Sequence, residues 1–222
     1  MARRARTVGY IGLALAALAV PQPASADFST ETVNIPLQNT DFTASVLVPQ
    51  FHPQSGQILE AVSFSFNGQI SSADTLTFLN QATLDLKTTA DLKLTGPDNL
   101  SLVAAPVATV TQTGSSGSFS TTATGTASAV QPASSDPVLL ALFTGSGTVP
   151  FSLVASGASN FSSSSGNGDW AATTQAGGAL TVTFQFRTVP EPASLALLTL
   201  GGGGVMLASR RIRRREAAGR VA

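Results

Sequence analysis

His52 is the only histidine in the chain, and there is no cysteine. A serine nucleophile would have to take its general base from His52 itself, and thiolate catalysis, disulfides and paired-histidine metal sites are excluded. The flanking Phe51 and Pro53 favour a loop histidine packed on apolar surface. Asp85 and Asp91 fall on the outward faces of neighbouring strand patterns, with Lys87 and Lys93 beside them. Two carboxylates at suitable separation hydrolyse glycosidic bonds, but alternating Asp and Lys is more often a solvated strand face. Asp98-Asn99 and Asn167-Gly168-Asp169 offer the oxygen ligands calcium takes, without the spacing of an EF-hand, and both read more simply as turn chemistry. Trp170, the single tryptophan, could stack on a sugar ring with Asp169 and Asn167 alongside, or fill a core position. These residues predict no catalytic centre, metal site or cofactor.

The elements that must carry these residues have a period of two. Phe42, Ala44, Val46 and Val48 alternate with Thr43, Ser45 and Leu47. Similar alternation runs through Val62, Phe64 and Phe66, through Leu84 and Leu86, through Leu92 and Leu94, and through Val149, Phe151 and Leu153. It is cleanest at Leu180, Val182, Phe184 and Phe186, and each run predicts a half-buried strand. Turns are predicted at Asn67-Gly68, Gly96-Pro97-Asp98-Asn99, Gly114 to Gly117, Gly145 to Gly147 and Gly166-Asn167-Gly168. Thr111 to Ser135 and Ser156 to Ser165, rich in Ser, Thr, Gly and Ala, read as polar edge strands or loops. No stretch of the body reads as an amphipathic helix. The expected fold is all-β, an antiparallel β-sandwich compatible with jelly-roll connectivity, formed by one domain over residues 27–188.

The C-terminus has a different physics. Val189-Pro190-Glu191-Pro192 leads into Ala193–Ser209, seventeen residues without a charge, and then Arg210, Arg211, Arg213, Arg214 and Arg215. Seventeen helical residues span about 25 Å, a minimal crossing of a bilayer core. The arginines place the end of the chain on the cytoplasmic side and the body outside. Both prolines push the residue before them toward extended backbone, so the chain approaches the membrane as an open strand. Order, spacing and charge over residues 189–215 resemble the PEP-CTERM sorting signal of Gram-negative bacteria. That resemblance implies recognition of Val189, Pro190, Glu191 and Pro192 by exosortase, a membrane enzyme with a cysteine nucleophile that cuts near the motif; residues 216–222 then form a short cytoplasmic tail. A permanent C-terminal anchor is the competing reading.

At the N-terminus Arg3, Arg4 and Arg6 precede an apolar run from Val8 to Val20, then Pro21, Pro23 and Ala24-Ser25-Ala26. This is the pattern of a signal peptide over residues 1–26, with signal peptidase cutting between Ala26 and Asp27. Once both tails are set aside, the only cations are Lys87, Lys93 and Arg187. They face Asp27, Glu31, Asp41, Glu60, Asp74, Asp85, Asp91, Asp98, Asp136 and Asp169. So acidic a body has nothing to pair with phosphates, and nucleic acid is excluded as a partner. The formal net charge of zero averages unlike parts.

A second set of residues spans the body: Pro36-Leu37-Gln38-Asn39-Thr40-Asp41-Phe42; Leu47, Phe51, Pro53, Gly56, Leu59 and Val62; and Leu140-Ala141-Leu142-Phe143-Thr144-Gly145-Ser146-Gly147-Thr148-Val149. These resemble the choice-of-anchor E domain, an exported β-rich domain joined to alternative C-terminal anchors. Read as residues, Phe51 to Gly56 form a loop between strands, and Leu140, Leu142 and Phe143 fill a core. Three functions are consistent with the sequence. The first is a non-enzymatic cell-surface or matrix protein that uses the secretion machinery, crosses the inner membrane, is trimmed by exosortase and meets exopolysaccharide in a biofilm. The second is a carbohydrate-binding module, and the third a secreted carboxylate-dependent hydrolase.

Overall fold

The computed structural model describes residues 26–189. The expected signal-peptide core, Pro190 to Pro192, the span Ala193–Ser209 and the arginine cluster lie outside them. Among the described residues no helix is long and apolar enough to cross a membrane.

The described residues form nine strands and one short helix: β1 (Ala26–Asn39), β2 (Phe42–Pro49), β3 (Gln57–Phe78), β4 (Ala82–Thr95), β5 (Ser101–Ala104), β6 (Val107–Gly114), β7 (Gly117–Ser134), α1 (Pro137–Phe143), β8 (Thr148–Ser163) and β9 (Gly168–Thr188). One sheet has the order β1-β9-β3-β7, the other β2-β8-β4-β5, with β6 also pairing β4. The pairs β1 with β9, β2 with β8, β3 with β7, and β4 with β5 and β6 are all antiparallel. They describe a chain doubled back on itself into one ribbon. Rolling the ribbon adds the β3 with β9 and β4 with β8 pairs and yields two facing sheets, which is jelly-roll connectivity. Both ends of the body belong to the open end of the ribbon, so β1 begins where β9 finishes.

The alternation predicts β2, β3, β4, β8 and β9, misses β1, β5 and β6, and divides β3 and β4 too finely. Asn67-Gly68, expected as a turn, lies in the middle of the 22-residue β3. Gly68 faces inward between Phe66 and Ile70, and a Cβ there would meet Leu92 Cδ1 at 2.6 Å and Ala104 Cβ at 2.9 Å. The glycine answers close approach of the opposite sheet; it does not reverse the chain. Asp85 and Asp91, expected on neighbouring strands, share β4, because Thr88 and Ala90 occupy the inward positions between Leu86 and Leu92. Thr111 to Ser135 covers the end of β6 and the edge strand β7, and most of Ser156 to Ser165 continues β8.

The expectation of no helix is corrected at α1. Asp136 Oδ1 accepts from the backbone N–H of Val138 at 2.8 Å, and Pro137 begins the helix. Leu139 and Phe143, four apart on one face, are buried, and Leu140 is partly buried. Leu142, expected in the core, is 39% exposed, at the flank of the helix about 100° round from Phe143.

The core holds two apolar clusters. In the larger, Phe64 and Phe143 have ring centroids 5.3 Å apart, with Phe51, Phe151 and Phe184 around them. The smaller contains Leu76, Phe78, Ala82, Leu84 and Leu86. Along β3 they are separated by buried Ser72 and Asp74, and along β4 by buried Thr88. Ser72 Oγ donates to Asp74 Oδ1, and Thr88 shares a hydroxyl hydrogen bond with Ser159 at 3.2 Å.

Candidate functional site

The site the fold builds most distinctly is the pole from which both tails leave. Ala26 pairs with Arg187 and Asp27 with Phe186, so the expected signal-peptide cleavage point sits beside the last residues of β9. On the other flank Gln57 pairs with Thr188. One residue further, the Val189 N–H donates to Gly56 O at 2.7 Å. Gly56 has φ +80°, and a Cβ on it would meet Val189 O at 2.5 Å. Only glycine fits a left-handed backbone this close to another backbone segment. The loop carrying Gly56 is tightened by Gln57, whose N–H donates to Gln54 O at 2.9 Å and whose Oε1 accepts from the Gln54 N–H at 2.8 Å. Arg187 pairs with Glu60 at 2.8 Å, but both side chains are well exposed, and such a pair contributes about 0–1 kcal/mol. The first residue of the expected sorting motif is thus hydrogen-bonded to the body, with no spacer between fold and motif.

His52 lies on this pole, exposed in the loop after β2, at a cleft of about 320 Å³ that also touches Ser29 and Glu31. Phe51 packs on Phe186 with centroids 5.0 Å apart. Among the described residues no hydrogen bond joins His52 to a serine or a carboxylate, so no triad is assembled.

The other sequence candidates are scattered. Asp85 and Asp91 are six residues apart on one strand, about 20 Å, well beyond the separation of about 5–10 Å that a glycosidase pair needs. Asp85 Oδ1 accepts from Thr111 Oγ1 at 2.6 Å on the outer face. Asp98 and Asn99 both have left-handed φ, 57° and 58°, in the turn closed by Gly96 N–H to Leu100 O at 2.8 Å. Among the described residues no cluster of acidic side chains or histidine could hold a metal ion. Trp170 turns inward, half-buried, and stacks on Phe161 at 6.0 Å and 22°. Asp169 points to the opposite face of β9 and accepts from the Trp170 N–H at 2.8 Å, while Asn167 is in the preceding turn. Strand alternation keeps these three from forming one surface.

Two features escaped the sequence. The buried carboxylate of Asp74, with Oδ2 lacking a hydrogen-bond partner, resembles any other Asp until its inward register is known. The outer face of the β1-β9-β3-β7 sheet carries rows such as Thr122, Ala73 and Thr173; Thr124, Ser71 and Gln175; and Val130, Ser65, Thr181 and Thr32. No charged side chain interrupts it between the Glu60–Arg187 pair and Asp169.

Residues 188–215 match the family model described as the PEP-CTERM protein-sorting motif. The chain carries a PEP-CTERM sorting signal. The match begins at Thr188, the last residue of β9, and takes in the whole arginine cluster. A motif of this kind marks an exosortase substrate, exported and processed at the membrane. No curated protein matches the chain. Among solved structures, the infectious bursal disease virus Gt strain is similar at 13% identity over 77% of this chain and 43% of that one, with TM-score 0.18. The VP2 subviral particle of the same virus is similar at 13% identity over 84% and 49%, with TM-score 0.14. The chain spans less than half the length of these viral proteins.

Proposed function

We propose that this is a non-enzymatic cell-surface or extracellular-matrix protein of a Gram-negative bacterium, trimmed at both ends during export and retained in the exopolysaccharide of a biofilm. The body serves as a choice-of-anchor E-like domain. The observation that supports this reading most is that Ala26-Asp27 and Val189, the residues next to the two expected cuts, lie at one pole. Cutting after Ala26 and beyond Val189 removes no strand from either sheet. The whole jelly roll is therefore available as cargo. Fractionation of the host with and without exopolysaccharide synthesis tests the reading. The expected result is protein in the matrix of the parent and in the medium of the mutant; an unchanged distribution would contradict it.

A carbohydrate-binding module is the second reading, favoured by the uncharged hydroxyl and amide rows on the outer face of the β1-β9-β3-β7 sheet. A neutral polymer would lose no ionic hydration on binding there. In this reading neutral polysaccharide retards the protein in affinity electrophoresis, Ser71→Lys with Thr173→Lys abolishes the retardation, and Trp170→Ala, beneath the surface, preserves it. Absence of retardation for the parent protein would remove the reading. A hydrolase would need a carboxylate pair other than Asp85 and Asp91.

A further inference from the structure

Two sheets with four edges expose backbone donors and acceptors that another chain can pair with, unless the edges are blunted. Three of the four are. β1 carries Asp27, Glu31 and Pro36, and its register is broken between Ile35 and Gln38. β2 has eight residues and ends at Pro49. The β5 and β6 edge is interrupted at Ala105-Pro106. β7 has none of these protections over most of its length. From Gly117 to Gln131 its register against β3 runs unbroken from Phe78 to Phe64, a length of about 50 Å. It has no charged residue, and its only proline is Pro132.

The inward side of β7 is covered in its middle, where Ala123 is buried and a Cβ on Gly125 would collide with Val107 O, but incompletely on either side. On β3 the inward positions Phe64, Phe66, Ile70 and Leu76 are at most 1% exposed. On β7 the corresponding Ala127 and Ala129 are only partly buried, and Phe119 is 38% exposed. Val130 on the outer side is 67% exposed.

We propose that β7 is an interface between two copies of this chain, the strands pairing antiparallel about a two-fold axis to join two four-stranded sheets into one of eight. A two-fold arrangement sets each patch against itself. The neutral β7 can do this without repulsion, whereas pairing of β1 with its copy would oppose acidic strands. The added strand covers the open flank beside Ala127, Ala129 and Phe119 and continues the hydroxyl rows across the junction. The inference is independent of where the protein is delivered.

The chain has no cysteine, which makes the geometry directly readable. Single cysteines at Ser120, Thr122, Thr124, Thr126 and Ser128, introduced one at a time into protein purified from its host, report the distance to the same residue of the copy. Antiparallel partners have Cα atoms about 4.5–5.5 Å apart, within disulfide reach. Mild oxidation is expected to give a cross-linked dimer at one or two adjacent positions of this series, falling away on either side, with none at Thr32→Cys on β1. Sedimentation of the parent is expected to show dimers, weakened at least about tenfold by Thr124→Lys with Thr126→Lys and unchanged by Thr173→Lys on the inner strand β9 of the same face. A parent that sediments as a monomer at about 1 mM, or cross-linking without any positional peak, would overturn the proposal.

Discussion

Gly56 and Gly68 show how much a single missing Cβ controls here. At Gly56 alanine faces two penalties together, a left-handed φ and the Val189 carbonyl 2.5 Å away. Gly56→Ala is expected to lower stability by about 1–3 kcal/mol in urea denaturation and to release the Val189 N–H to exchange. Gly68→Ala has ordinary backbone but intrudes on Leu92 and Ala104, and overpacking of this kind costs about 1–3 kcal/mol. Phe143→Ala, at the centre of the aromatic group, is expected to cost about 3–5 kcal/mol in the same assay. The sequence marked Gly56 as part of a loop and Phe143 as core. It misread Gly68, because Asn-Gly is ordinarily a hairpin signal and the approach of a second sheet leaves no local trace.

At the scale of elements, the apolar alternation located β2, β3, β4, β8 and β9 but gave no run for β1, β5 or β6, and it ended strands wherever an inward position was polar. Ser72, Asp74 and Thr88 lie between apolar clusters and break the pattern that β3 and β4 nevertheless continue. That misreading turned one strand into two and set Asp85 and Asp91 on separate neighbours, where they looked closer than they are. Both are solvated side chains on the outer face. Asp85→Asn with Asp91→Asn is therefore expected to change stability by no more than about 0.5 kcal/mol. The helix α1 was missed because seven residues show barely two turns of period, although Asp136-Pro137 is a recognisable start. Asp136→Ala is expected to cost about 1 kcal/mol in thermal unfolding, since it strips the acceptor from the Val138 N–H.

For the whole molecule, the tail was legible because charge and hydropathy act over contiguous residues: Pro190, Glu191 and Pro192, the apolar run and the arginines need no tertiary structure to be read. The pole was not legible, since it depends on strand order, which alternation does not encode. Only the pairing of β1 with β9 brings Asp27 and Val189 to the same end. In the proposed function the jelly roll is a cargo freed at this pole by cuts on both sides. Intact-mass measurement of the protein in membrane, surface and medium fractions, from hosts with and without exosortase, tests it most directly. The predicted result is a chain starting at Asp27 and ending near Val189 to Pro192 in the outer fractions, absent when the enzyme is deleted. A mass that still includes Ala193 to Ala222, held in the inner membrane whether or not exosortase is present, would contradict it.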